Sequence, residues 1–275
     1  MELSLGYSPC PNDTFIFHAL THGEVNLPGI TVRESLEDVE TLNLRAMRAE
    51  LDLTKVSFHA LAHLRENYCL LRSGGALGRG CGPLVVTKGP ASMDSLKGKK
   101  IAAPGRYTTA LLLLKLYDRG YDNIAIMPFD RIMDAVSSGE ADAGLVIHEG
   151  RFTYEGRGLH KVMDLGEWWE ADTGLPIPLG GILARRALGP DVIHKVEAGI
   201  RESINYACSH RDLVMPYIRE HAQELDDQVI ESHIALYVND FSLDLGEDGV
   251  RAVEALFERA MARGVIPGSY TPLFI

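Results

Sequence analysis

Short apolar runs alternate with longer segments of helical periodicity over roughly the first 180 residues, and this alternation constrains the fold most. Apolar runs typical of β-strands lie at residues 2–7, 30–34, 53–58, 68–72, 83–87, 99–104, 124–127, 143–147, 159–164 and 175–184. Segments with helical spacing, such as 14–20, 39–47, 110–117 and 131–136, lie between several of them. Strands that alternate with helices in this way indicate an α/β protein built from βαβ units.

Two segments divide this series and predict two lobes. A turn-rich stretch at residues 88–98 precedes a new strand-helix series, and a proline-rich strand at 175–184 precedes helical patterns that run from Pro190 to Arg263. We therefore expect a larger discontinuous lobe of residues 1–89 and 181–275, a smaller lobe of residues 90–180, and late helices covering the first sheet. Because ligand sites favour domain junctions, the cleft between the lobes is the expected site.

The charge and the cysteines exclude several classes of function. The 275-residue chain has a formal net charge of -11, and its longest basic stretch is Lys97-Gly-Lys-Lys100, so we expect neither a nucleic-acid surface nor binding to an anionic membrane. The start of the sequence lacks a signal-peptide pattern, and no apolar run is long enough to span a bilayer, which predicts a cytoplasmic protein. The four cysteines form no Cys-x-x-Cys pair and are expected to be reduced structural thiols.

His148 and Glu149 follow the apolar run Ala143-Gly-Leu-Val-Ile147, which is typical of a strand buried on both faces. In open α/β sheets, ligands bind outside the carboxyl ends of strands, where an imidazole could exchange protons with them. His148 is therefore the candidate base, with Glu149 as the second choice. The alternative is that His148 only packs at the strand end.

Further candidate ligand contacts come from the starts of helices and from one strand. Ser8-Pro-Cys-Pro-Asn-Asp13 breaks the first strand before a helix, with Asn12 or Asp13 as the expected N-cap. Lys55 and Ser57 share a parity on their strand, so both could face the crevice. Thr108 and Thr109 open a helix whose free N–H groups suit a carboxylate or phosphate, although Thr108 could act only as an N-cap.

Three other patterns have structural explanations. The glycine-rich segment 73–82 is not followed by a helix, as a nucleotide-binding turn requires, so we expect its backbone to pass close to a ligand or a neighbouring element. The pairs His18/His22 and His59/His63 have no identifiable third ligand, so no metal site is predicted. One of Trp168 and Trp169 is expected in the core at the lobe junction.

Several motifs together resemble the 1,4-dihydroxy-6-naphthoate synthases of the futalosine route to menaquinone. They are Ser8-Pro-Cys-Pro-Asn-Asp-Thr-Phe15, Glu37-Asp-Val-Glu-Thr-Leu42, Leu53-Thr-Lys-Val-Ser57, Arg72-Ser-Gly-Gly-Ala-Leu-Gly-Arg-Gly80, Pro104-Gly-Arg-Tyr-Thr-Thr109, Ile147-His-Glu149 and Arg151-Phe-Thr-Tyr154. The likeness extends to Tyr237-Val-Asn239 and Pro272-Leu-Phe274. It implies a two-lobed fold of the periplasmic-binding-protein type (type II) in a cytoplasmic enzyme.

The resemblance also implies a reaction and roles for individual residues. The family converts cyclic dehypoxanthinyl futalosine into 1,4-dihydroxy-6-naphthoate and releases a sugar-derived fragment, so a cofactor-independent carbon-carbon lyase acting on an aromatic carboxylate is expected. His148 matches the family's proton acceptor. Substrate contacts are expected from Lys55, Val56, Ser57, Thr108, Thr109, Ser8, Asn12, Glu149 and Arg151. The alternative function is a solute-binding protein for a small carboxylate, and the sequence leaves the oligomeric state open.

Overall fold

A computed structural model describes residues 1–224, 226–269 and 271–275. The strands are β1 (Glu2–Tyr7), β2 (Thr31–Leu36), β3 (Leu53–Ser57), β4 (Tyr68–Leu70), β5 (Ala76–Gly78), β6 (Leu84–Thr87), β7 (Ile101–Ala103), β8 (Ile124–Ile126), β9 (Ala143–Val146), β10 (His160–Asp164) and β11 (Ile177–Arg185). The α-helices are α1 (Pro11–Thr21), α2 (Val39–Met47), α3 (Phe58–Leu61), α4 (Thr109–Tyr117), α5 (Ile132–Ser138), α6 (Gly150–Thr153), α7 (Leu165–Thr173), α8 (Pro190–Ser209), α9 (Arg211–His221), α10 (Asp227–Tyr237), α11 (Asp240–Leu243) and α12 (Gly246–Ala262).

The strands form two separate mixed sheets. The first has the order β2-β1-β3-β11-β4, with β5 also pairing with β11, and the second has the order β10-β6-β9-β7-β8. In the first sheet β1 is parallel to β2 and β3, whereas β11 is antiparallel to its neighbours. In the second, β7 is parallel to β8 and β9, and β6 is antiparallel to β9 and β10. The predicted α/β class is confirmed.

The chain changes sheets between β5 and β6 and again between β10 and β11. The strand at 84–87 therefore pairs within the second sheet, although the lobe boundary expected from sequence falls after it at residue 89. Because β6 hydrogen-bonds to β9 and β10, we group it with the smaller lobe. The division into lobes remains a proposal.

Helix starts were predicted well where a side chain caps the helix. Asp38 accepts hydrogen bonds from the backbone N–H groups of Glu40 and Thr41, and Thr108 accepts one from that of Leu111, so α2 and α4 begin as expected. The prediction for α1 was wrong, because this helix starts with Pro11 at its first position and Cys10 as the N-cap. The fixed φ of proline suits a first helical position, and this frees the side chains of Asn12 and Asp13 for tertiary contacts.

The late helices pack as expected against the first sheet. Helix α8 lies on α1, while α10, α11 and α12 contact β5 or β11. Trp169 is fully buried in a hydrophobic cluster that combines residues from both sheets, and its indole N–H donates to the carbonyl of Pro176, so the predicted core tryptophan is confirmed. Among the described helices, none is both long enough and apolar enough to cross a membrane.

Candidate active site

A narrow cavity lies between the two sheets, and its walls include the ends of strands and the starts of helices. Of the predicted site residues, those that line the cavity are Ser8, Asn12, Lys55, Val56, Ser57, Thr108, Thr109 and His148. Asp13, Cys81, Leu179, His233 and Tyr237 also line it but were not among the predicted site residues. Glu149 and Arg151, both predicted to contact substrate, do not line it. The structure therefore brings eight of the predicted residues together in one cavity, to which α10 and β11 add further groups.

His148 lies two residues beyond the end of β9, whose four residues are all buried. Its backbone has φ of 57°, in the left-handed region that a β-substituted residue rarely adopts. The ring packs edge-on against Phe129, and Nδ1 lies 3.3 Å from the thiol sulfur of Cys10. Surrounding protein disfavours the imidazolium and lowers the pKa of His148 to about 4, with Lys55 adding to the effect and Asp13 opposing it. The imidazole is therefore neutral at neutral pH, as a base must be.

Cys10 lies close to both His148 and Glu149. The thiol sulfur, a ring nitrogen of His148 and a carboxylate oxygen of Glu149 all lie within 4.8 Å of one another. Burial raises the pKa of the Cys10 thiol well above its usual value and raises the pKa of Glu149 to about 7. Within the described part of the chain, no group makes a hydrogen bond of good geometry to either carboxylate oxygen. Thiol, imidazole and carboxylate can bind a divalent metal, but an ion here would occupy the imidazole that a base needs.

Asp13 organises the polar end of the cavity. Its carboxylate forms a buried ion pair with Lys55 and accepts hydrogen bonds from the Ser8 hydroxyl at 2.7 Å and the Ser8 backbone N–H at 3.2 Å. Lys55 is 5% exposed and Asp13 is 1% exposed, so both charges depend on each other for compensation. Any ligand carboxylate that approaches Lys55 must share the ammonium with Asp13.

A hydrogen-bonded chain links Asp13 to His233 on α10. The amide nitrogen of Asn12 donates to Asp13 Oδ1 at 2.9 Å, and the amide oxygen of Asn12 lies 2.9 Å from Nε2 of His233. His233 is 1% exposed, and burial, with His148 and Lys55 nearby, lowers its pKa well below the usual value. No local pattern around residue 233 distinguishes this histidine from an ordinary helical residue, so sequence reasoning missed it.

The start of α4 forms another wall of the cavity. Thr108 caps the helix and donates its hydroxyl to the carbonyl of Gly105 at 3.0 Å, which agrees with the alternative that Thr108 acts only as an N-cap. Thr109 donates its hydroxyl to the carbonyl of Leu179 at 2.5 Å, which ties the helix to β11. Both hydroxyl protons are thus used within the protein. What the helix can offer an anion is the N–H groups of its first turn, where Thr109 and Ala110 line the cavity.

Arg151 supports the cavity wall from behind. Its guanidinium donates to the carbonyls of Gly80 and Gly82 and forms an ion pair with Asp164, which is buried. At Gly82 an added Cβ would lie 2.1 Å from the backbone nitrogen of Gly166, and one at Gly166 would lie 2.7 Å from Gly82. The glycine-rich segment therefore passes directly against a neighbouring element, which confirms the prediction for residues 73–82.

Comparison with known proteins identifies the family of this chain. A family model described as "Menaquinone biosynthesis" matches residues 3–262. The chain belongs to the menaquinone biosynthesis family. A relative from Thermus thermophilus named 1,4-dihydroxy-6-naphthoate synthase is 54% identical over 99% of both chains, and one of the same name from Streptomyces coelicolor is 49% identical over 96% of this chain and 95% of its own.

Solved structures confirm the periplasmic-binding-protein-like fold of this family member. The alkanesulfonate-binding protein SsuA from Xanthomonas axonopodis pv. citri, bound to MOPS, superposes with a TM-score of 0.73 over 97% of this chain and 94% of its own. At 14% identity, this likeness shows the fold alone. The expected resemblance to the naphthoate synthase family and the expected fold are both confirmed.

Proposed function

We propose that the chain is a 1,4-dihydroxy-6-naphthoate synthase that converts cyclic dehypoxanthinyl futalosine into 1,4-dihydroxy-6-naphthoate. The observation that carries this function is the near-full-length identity to two synthases of that name. The alternative, a solute-binding protein, is supported only by structures that share the fold at low identity. The reaction class is a carbon-carbon lyase, and it needs no cofactor, because aromatisation of the product ring drives the cleavage.

The base in this proposal is His148. A neutral imidazole on the cavity wall removes a proton from the substrate and begins the elimination. Only one of its tautomers leaves Nε2 unprotonated, namely the one in which Nδ1–H donates to the sulfur of Cys10 at 3.3 Å. In this proposal the Cys10 sulfur accepts from Nδ1–H, and Glu149, which lies close to both groups, stabilises the imidazolium once it forms.

The substrate carboxylate binds at the start of α4 in this proposal. First-turn N–H groups and the positive end of the helix dipole favour an anion there, and Lys55 adds a charge that it shares with Asp13. The buried surroundings exclude water from the reacting centre. Ser57 and Val56, on the same strand as Lys55, complete this wall.

Formation of product tests the proposal. Purified protein incubated with cyclic dehypoxanthinyl futalosine should release 1,4-dihydroxy-6-naphthoate, detected by liquid chromatography with mass spectrometry. Protein with His148→Asn is the matched control, since asparagine tolerates the left-handed backbone at this position and cannot act as the base. Tight binding of the futalosine derivative without any turnover by the wild-type protein would refute the proposed activity.

A further inference from the structure

His233, on α10, contains a buried hydrogen-bond acceptor that the proposed reaction does not use. His233 lines the cavity, and in the part of the chain that the structure describes no group bonds to its Nδ1 atom. An unpaired nitrogen shielded from water destabilises the protein unless a ligand supplies its partner.

The protonation of the ring follows from its neighbours. Asn12 orients its amide nitrogen toward the Asp13 carboxylate, because the reverse orientation would place two oxygens against each other. Its amide oxygen therefore faces His233 and can only accept, so Nε2 of His233 carries the proton and donates it at 2.9 Å. Nδ1 is left with a lone pair, since burial and the nearby Lys55 ammonium oppose a second proton.

We infer that His233 determines substrate specificity, by accepting a hydrogen bond at Nδ1 from a hydroxyl group of the ligand. A lone pair held in a fixed direction rejects a ligand that lacks the matching donor, because the nitrogen then stays unpaired. The same ring keeps Asn12 and Asp13 oriented, so one residue couples hydroxyl recognition to the ion pair at Lys55. The inference rests on the proposed function for the choice of ligand.

Two variants of His233 separate the acceptor from the donor. His233→Gln places an amide nitrogen where Nε2 lies, so it keeps the donor to Asn12 and removes the acceptor at Nδ1. His233→Asn places an amide oxygen where Nδ1 lies, so it keeps the acceptor and loses the donor. We expect His233→Gln to weaken binding of the cyclic futalosine derivative by about 10- to 100-fold and His233→Asn to weaken it less. The reverse order would show that His233 acts only through Asn12 and would overturn the inference.

Binding is measured by calorimetry with both substrate and product, after thermal unfolding has shown that each variant folds. Equal weakening for 1,4-dihydroxy-6-naphthoate assigns the donor to a ring hydroxyl, and weakening for the substrate alone assigns it to the sugar-derived part. If His233→Gln does not fold, deoxy analogues tested on wild-type protein replace it, and equal affinity for all of them would overturn the inference. Absence of naphthoate formation by the wild-type protein would refute the proposed activity and leave this binding result intact.

Discussion

At the scale of single residues, the proposed mechanism depends on a histidine that is neutral and held in a strained position. The left-handed backbone at His148 is sparsely populated for a residue with a side chain, and such strain persists only where the surroundings enforce it. The contacts with Phe129 and Cys10 supply that enforcement. The base is thus positioned before substrate arrives, which reduces the reorganisation that proton transfer needs.

Replacement of His148 by Asn tests this role. Loss of a general base lowers turnover by about 10²–10⁴-fold, and we expect the affinity for 1,4-dihydroxy-6-naphthoate to change much less. The measurements are steady-state kinetics with the cyclic futalosine derivative and calorimetry with the product. Near-normal turnover in this variant would move the role of base to Glu149, whose raised pKa of about 7 makes it the next candidate.

The pH dependence of wild-type activity follows from the lowered pKa of His148. The base works in its neutral form, which predominates at every pH above its pKa of about 4. Activity limited by this group should therefore persist as pH falls through 6.5, the ordinary pKa of histidine, and decline only as it nears 4. A profile of kcat/KM against pH checks this expectation, and a decline centred near 6.5 would show that the free enzyme does not desolvate the ring.

Sequence reasoning reached His148 but not His233, for a physical reason. His148 follows a buried strand, so local pattern and the geometry of α/β sheets together place it in a cleft. His233 reaches the cavity because α10 packs on β5 and α1, and the partner of its ring, Asn12, is 221 residues away in the chain. Asp13 was misjudged for a similar reason, because its nearest apparent use was as a cap of its own helix.

At the scale of elements, α4 has two roles that involve the same residue. Thr108 ends the preceding loop and caps the helix, while the first turn that it stabilises lines the cavity. The sequence predicted both the helix start and an anion site there. It could not show that the Thr109 hydroxyl donates to Leu179, because Leu179 belongs to a distant strand.

Substitution of the cap separates the two roles. Thr108→Ala should lower the free energy of unfolding by about 1 kcal/mol, since the cap is lost, and Thr108→Ser, which keeps the hydroxyl, should restore most of it. We also expect Thr108→Ala to bind 1,4-dihydroxy-6-naphthoate more weakly, because the first turn frays. Urea unfolding and calorimetry measure the two effects. Unchanged affinity in a destabilised Thr108→Ala protein would place the carboxylate elsewhere, with Lys55 as the next candidate.

At the scale of the whole molecule, the inner end of the cavity between the two sheets is closed to solvent. The polar side chains at the inner end of the cavity, Ser8, Asn12, Asp13, Lys55 and His233, are each at most 6% exposed, so a ligand cannot reach them without movement. Glu40 on α2 bridges the cleft, since its carboxylate accepts hydrogen bonds from the backbone N–H groups of Arg106 at 2.6 Å and Tyr107 at 3.1 Å. We propose that the cleft opens for the ligand and that the chain bends where it changes sheets, between β5 and β6 and between β10 and β11.

Small-angle scattering tests the opening. We expect ligand-free Glu40→Ala to have a larger radius of gyration than wild type, because the bridge is lost, and saturating 1,4-dihydroxy-6-naphthoate to reduce the radius again. Glu50→Ala removes a carboxylate from surface ion pairs with Arg45 and Arg48 but leaves the contacts of Glu40 in place, so it serves as the control. Identical radii for all three proteins, with and without product, would argue that the lobes do not move.

The contact between Gly82 and Gly166 limits what genetic change this protein tolerates. Each residue leaves no room for a β-carbon on the other, and Gly82 also forms part of the cavity wall. In most packed pairs, a larger residue on one side can be offset by a smaller one on the other. Here both partners are already the smallest amino acid, so a substitution at either position has no intragenic suppressor at its partner.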